Sequence, residues 1–260
     1  MEHTVIGMVA ASALIGVASW IGKRWGPAAG GWFVALPLVS GPVVLTFALE
    51  RGPQFARQAC VGSMLATISL SAFALSYAWC ARRAGWLASA LLACVLFLAS
   101  TWAMQLVRVP SIGWLFALAC AVLAAALYAM PAGTTRRSRA ATPWWDIPLR
   151  MTMAAVLVLT LSSASSMFGA RVSGLLTPFP IISTILVSFI HHNEGAAAAS
   201  QFLRGLLKGL FSFAVFVLVI GLEVTTWSIA ATFAVATIVT LAFHTGVWHW
   251  VQHHQLAASD

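Results

Sequence analysis

Two stretches of this chain carry the same chemistry-bearing residues, with Pro, Ser and Gln at the same spacing and a Glu in the turn between, one place later in the second stretch. The first holds Pro37 and Ser40, then Glu50, then Gln58; the second holds Pro180 and Ser183, then Glu194, then Gln201. A proline inside an apolar helix removes one amide donor and clashes with the carbonyl four residues earlier. In a bilayer, carbonyls freed this way are tolerated only against protein or a hydrated cavity. Ser40 and Ser183 follow their prolines by three residues and can bond either a freed carbonyl or a ligand. A kink patched by serine is the plainer role, and its recurrence in matched positions favours a binding role. Gln58 and Gln201 each precede a glycine, Gly62 and Gly205, by four residues. A small residue one turn away lets helices approach closely, so the amide either ties two helices together or orients a bound molecule. Pro37, Ser40, Gln58, Pro180, Ser183 and Gln201 form the candidate substrate-binding set.

A second set could couple or gate. Glu50 and Glu194 sit in the polar turns after the apolar runs, the latter preceded by His191 and His192. Arg204 and Lys208 are four apart, on one face of the next helix, and Lys208 should lie within the membrane. Ionisable groups at that depth are costly and tend to be functional; snorkelling to the surface is the alternative. No catalytic or metal-ligating set emerges. His249 and His253 could share a helix face, yet no HExxH, Cys–His pair or carboxylate-rich helix completes a metal site. His244, His249, His253 and His254 read as an interfacial chain end beside Trp248 and Trp250. Cys60, Cys80, Cys94 and Cys120 lie in or at the ends of apolar runs and read as small buried hydrophobes rather than disulfide partners.

The two stretches are copies. Shifting the sequence by 143 positions places Gly31, Pro37, Ser40, Gly52, Gln58 and Gly62 on Gly174, Pro180, Ser183, Gly195, Gln201 and Gly205, among ten identities within 43 positions and no gap. Self-similarity on this scale marks a duplicated structural unit.

The elements that must position these residues are membrane helices. The chain is 61% hydrophobic and only 8% charged, with mean hydropathy +0.92. A soluble domain of this size could not bury so much apolar surface. Period-two alternation is missing, so the class is all-α and polytopic. Nine spans are expected, at 5–21, 30–49, 56–79, 85–105, 112–130, 149–167, 172–190, 200–222 and 226–248. The start, Met-Glu-His-Thr, has no basic n-region, so the first span is expected to be retained. The organisation is 4 + 1 + 4: a first repeat over 1–105, a linker helix and basic loop over 106–148, a second repeat over 149–250, and a C-terminal tail over 251–260. Five crossings separate equivalent spans, so the repeats are expected to be inverted about an axis in the membrane plane.

Net charge +8 reads as topology rather than nucleic-acid binding. With the N-terminus outside, the cytoplasmic loops carry ten Lys and Arg, including Lys23, Arg82, Arg136, Arg150 and Arg204, against Arg51, Arg57, Arg108 and Arg171 outside. That asymmetry predicts N-out, C-in. Trp20, Trp25, Trp32, Trp79, Trp86, Trp144 and Trp145 stand near span ends, as interfacial belts do.

The second copy, with its Pro180-x-x-Ser183 and its Glu194-Gly195-Ala196-Ala197-Ala198-Ala199 turn, resembles the GlpM-like family of small bacterial inner-membrane proteins. The resemblance covers about 60 residues of each half and implies a fused duplicate of a four-span unit. The layout, two such units joined by a linker helix, is similar to that of the drug/metabolite transporter superfamily. Together these readings point to an inner-membrane secondary transporter of a small metabolite or amphipathic solute, with no enzymatic activity and no cofactor. Its partners would be the bilayer and a small-molecule substrate; a homodimer is compatible. No phosphate-binding Walker motif is present, so the chain itself should not hydrolyse ATP. The rival classes are an intramembrane lipid-acting enzyme, which needs a nucleophile beside His or a carboxylate at one depth, and a non-transporting subunit or assembly factor, which needs no polar central cavity.

Overall fold

The computed structural model describes residues 2–106, 111–131, 145–157, 159–160 and 180–257. Among these residues all regular structure is helical: α1 (Glu2–Trp25), α2 (Pro27–Val34), α3 (Ser40–Glu50), α4 (Pro53–Cys80), α5 (Trp86–Met104), α6 (Ile112–Ala129), α7 (146–157), α8 (Ile181–Glu194), α9 (Ala196–Glu223) and α10 (Ile229–Ala257). Five helices, α4, α5, α6, α9 and the first part of α10, are long and apolar enough to cross a membrane. On α5, Leu87, Leu91 and Val95 repeat every four residues and are 56–61% exposed. An exposed ridge of that kind is a lipid-facing surface rather than a water-facing one.

The helix ends repeat at the offset seen in the sequence. α4 and α9 have 28 residues each, and 53 and 80 shifted by 143 give 196 and 223. Trp86, which begins α5, falls on Ile229, which begins α10. Glycine sets the shared boundary. Gly52 (φ 89°, ψ 166°) and Gly195 (φ 90°, ψ 173°) adopt a backbone conformation that side chains exclude, and each starts the next helix at once.

α4 and α9 pack against each other and run antiparallel. Cys60, near the start of α4, abuts Gly221, near the end of α9. At the other end of the pair, Trp79 of α4 donates to the Ala129 carbonyl (2.9 Å) and Arg204 of α9 donates to the Met130 and Pro131 carbonyls (2.7 and 3.1 Å). α6 therefore packs on both helices, with its C-terminal carbonyls held from either side. The segments after the two repeated prolines pack across, α3 on α10 and α8 on α5, so the two halves interlock.

Close packing rather than water exclusion drives helix association in lipid. α2 lies on α9 through glycine: a Cβ at Gly31 would run into the Phe202 carbonyl oxygen, and one at Gly205 into the Ala28 carbonyl oxygen. A Cβ at Gly209, one turn on, would run into the Trp32 carbonyl and the Ala35 methyl. Polar residues in α4 are neutralised within the helix. Ser63, Thr67 and Ser71 each donate to the carbonyl four residues back, at 3.0 Å. Phe73, Tyr77 and Phe97, with Phe202, Leu203 and Leu206 of α9, fill the core beside them.

Three expectations are revised. Residues 30–49 are not one helix: α2 stops at Val34 and α3 starts at Ser40. The helices after the glycine turns start earlier than expected, at Pro53 and Ala196, because glycine ends the preceding segment and releases the next. The helix over 229–257 continues into the stretch read as a tail. Residues 132–144, with the basic loop, and 161–179, with Pro178 and the start of the seventh expected span, lie outside the described residues.

Candidate functional site

Pro37 stands in the interruption between α2 and α3, and Pro180 caps the start of α8. Pro37 thus separates two helices instead of kinking one, and Pro180 immediately precedes the first residue of α8. Their carbonyls are used identically: Pro37 O accepts from the Gly41 amide and Pro180 O from the Thr184 amide, each at 2.9 Å, in positions 143 apart. The Thr184 hydroxyl adds a second bond to Pro180 O at 2.8 Å. That role belongs to threonine rather than to the neighbouring Ser183, which is buried in α8, while Ser40 is half-buried at the start of α3.

The two glutamines do not meet. Gln58 is exposed on α4 and Gln201 is half-buried on α9. Each lies in the second turn of its helix, and the helices are antiparallel, so they occupy opposite ends of the bundle. Ser40, Ser183, Gln58 and Gln201 thus do not share one cavity among the described residues. Glu50 is exposed, at the end away from Glu194. Arg204 is spent on the α6 carbonyls, a helix C-cap by a cation, and Lys208 is half-buried one turn further along α9. His192 is exposed, with its ring edge-on to Trp86 at 6.1 Å.

His191 Nδ1 lies 3.3 Å from the Tyr77 hydroxyl, which joins α8 to α4. Burial, and then the neighbouring His192, hold His191 below the ordinary histidine value of 6.5.

The densest polar constellation is one the repeat did not mark. Asp146 and Arg150 of α7 are 1% and 2% exposed. Asp146 Oδ1 accepts from Arg150 Nε at 3.2 Å and from Asn193 Nδ2 at 2.8 Å. Its Oδ2 lies 3.0 Å from an Arg150 terminal nitrogen and 3.1 Å from Lys23 Nζ. Those last two are charge contacts, without hydrogen-bond alignment. The Arg150 guanidinium also covers the Phe189 ring at 5.3 Å. One carboxylate thereby ties α1, α7 and α8 together. Beside it is a pocket of about 10 Å³, lined among others by Ser19, Lys23, Arg150 and Glu194. Burial raises the Glu194 carboxyl above its ordinary value of 4.5; Arg150 and Lys23 oppose that rise and Asp146 adds to it. Sequence spacing offered one clue: Asp146 and Arg150 are four apart at the start of an apolar run.

A second unforeseen pair is Ser212 and His244. Ser212 Oγ and His244 Nδ1 are 3.1 Å apart, tying α9 to α10, and Trp32 covers the imidazole at 4.3 Å between ring centroids. His244 is therefore buried rather than interfacial, and Trp32 is a core residue rather than part of a belt. Trp20, Trp25, Trp79, Trp86 and Trp145 are exposed, as belt residues would be. All four cysteines are free. Among the described residues no three His, Cys, Asp or Glu side chains cluster as metal ligands do.

Comparison with protein families, characterised proteins and solved structures returns no match for this chain.

Proposed function

We propose that this chain is an inner-membrane secondary transporter of a small metabolite or amphipathic solute, built from two inverted repeats of four spans on either side of α6. The observation that carries the reading is the proline at matched helix boundaries, one of them a described break. Residues 35–39 interrupt the first copy, Pro180 starts a helix in the second, and both proline carbonyls accept from the residue four on. Interrupted helices in corresponding positions of opposed halves are the usual place for a transporter's site. The antiparallel α4–α9 pair supports the inverted relation. The N-out, C-in orientation gains support from the gathering of Lys23, Arg150, Arg204 and the ends of α6 and α8 at one end of the bundle.

Cysteine labelling tests the reading. In a background without Cys60, Cys80, Cys94 and Cys120, a single cysteine is placed at Ser40 or Ser183. A membrane-impermeant maleimide is then added to right-side-out and inside-out vesicles. Alternating access expects labelling from both sides at one of these positions. Protection from both sides at each would favour a non-transporting subunit. Reporter fusions after Arg137 and at the C-terminus should both report cytoplasm.

One observation favours an enzyme instead: the Ser212–His244 pair sets a hydroxyl beside an imidazole at membrane depth, as an activated nucleophile requires. Ser212 is wholly enclosed, however, so the pair serves better as an interhelical tie. An alkyl fluorophosphonate that labels the protein, and fails to label Ser212→Ala, would overturn that assignment.

A further inference from the structure

We propose that the pocket between α1, α2, α7, α8 and α9 is a proton-binding site, in which Glu194 takes up the proton and one water links its carboxyl to Ser19 and Arg150. The proposal stands on the pocket and holds whether or not the chain transports.

Three observations converge. The pocket, about 10 Å³, has room for about one water. A water at such a place needs two to four polar partners. The lining supplies the Ser19 hydroxyl, the Arg150 guanidinium, the Lys23 ammonium and the Glu194 carboxyl. Ser19 Oγ is the second observation: the residue is 4% exposed, and its hydroxyl has no hydrogen-bond partner among the described residues. A buried hydroxyl left so is costly unless a bound group completes it. The third is the charge arrangement. Asp146 already engages Arg150, Lys23 and Asn193, whereas Glu194 has no ion pair among the described residues.

Every element around Glu194 contributes to its balance. α1 presents Lys23 and α7 presents Asp146 and Arg150. α8 carries His191, His192 and Asn193 next to it, and α9 carries Arg204, turned to the α6 carbonyls, and Lys208. α2 brings only Pro27 and Gly30 to the lining, neither of them titratable. With Glu194 ionised, Lys23 and Arg150 balance Asp146 and Glu194. Protonation leaves the group one positive charge in excess, directly beside the ion pairs that hold α1 to α7 and α8. The proton moves from bulk water through the bound water to a Glu194 oxygen, and no other bond changes.

Infrared difference spectroscopy of the full-length protein in lipid nanodiscs, titrated with acid and base alone, reads the site directly. The wild type should show a protonated-carboxyl carbonyl band that persists above the ordinary carboxylate range, and Glu194→Gln should lose it. Lys23→Met should move the midpoint upward, because it removes a cation that favours the carboxylate. A band that survives in Glu194→Gln, carboxyls that all titrate in the ordinary range, or a midpoint indifferent to Lys23→Met would each overturn the proposal. The Lys23→Met arm keeps the test decisive if Glu194→Gln does not fold. Because the readout is a titration, its failure leaves the cysteine-labelling result untouched, and the reverse also holds.

Discussion

Gly52 and Gly195 stand 143 residues apart and hold the same backbone conformation, φ 89° and ψ 166° against φ 90° and ψ 173°. Each ends one helical segment and starts a helix of 28 residues. The duplication is thus conserved in the shape of a single turn, at a position where only glycine is unstrained.

Gly52→Ala and Gly195→Ala should each lower stability by about 1–3 kcal/mol, the cost of holding a side-chain-bearing residue in that region. Among the described residues no atom lies within 4 Å of a Cβ at either position, so the loss would be backbone strain alone. Thermal unfolding in detergent measures it, with Gly62→Ala as the control that should lose nothing, since that helical position is also open.

Gly205→Ala should do more damage than Gly62→Ala, although the two positions are repeat equivalents. A methyl at Gly205 meets the Ala28 backbone, which cannot swing aside as a side chain could. Loss of the α2–α9 seam should appear as reduced yield of monodisperse protein on size-exclusion chromatography. Equal behaviour of the two variants would refute the seam.

Asp146→Asn should be strongly destabilising. It leaves Arg150 buried without its carboxylate, a class of change that costs about 3–5 kcal/mol. Asp146→Leu combined with Arg150→Met should recover much of that loss, because no uncompensated charge then remains in the core. Urea or thermal titration of the single and double variants forms the cycle that measures the coupling.

Glu194 and His191 should bend the stability–pH profile in opposite directions. Glu194 has a folded value raised above the unfolded 4.5. Its contribution is therefore complete below the unfolded value and is lost as pH rises through the folded one. His191 is depressed below 6.5, so its contribution is present above that value and is lost as pH falls through its folded value. Glu194→Gln should flatten the loss that sets in as pH rises above 4.5 and leave in place the loss that sets in as pH falls below 6.5. His191→Asn should do the opposite in the same melting-temperature profile.

The all-helical membrane class is legible in composition alone. An apolar fraction of 61% requires lipid as solvent, and in lipid the backbone must satisfy itself, so helices follow. The 143-residue shift located α4 and α9, their glycine turns and both prolines, because local backbone chemistry repeats with the residues that cause it. It also located Gly31 and Gly205, whose missing side chains permit contact without saying with what. Which residues become partners depends on how the helices pack. Pro37 could kink a helix or end one, and the packing of α2 on α9 decided that it sits in a break. Gln58 and Gln201 share a motif but not an environment, because antiparallel helices carry equivalent positions to opposite ends. The ion cluster was illegible for the same reason. Lys23, Asp146, Arg150 and Asn193 come from three helices, and Asp146 corresponds to His3 in the other copy, so no periodicity or repeat points to it. Charge pairing across helices depends on distances that emerge only when α1, α7 and α8 are brought together at one end of the bundle.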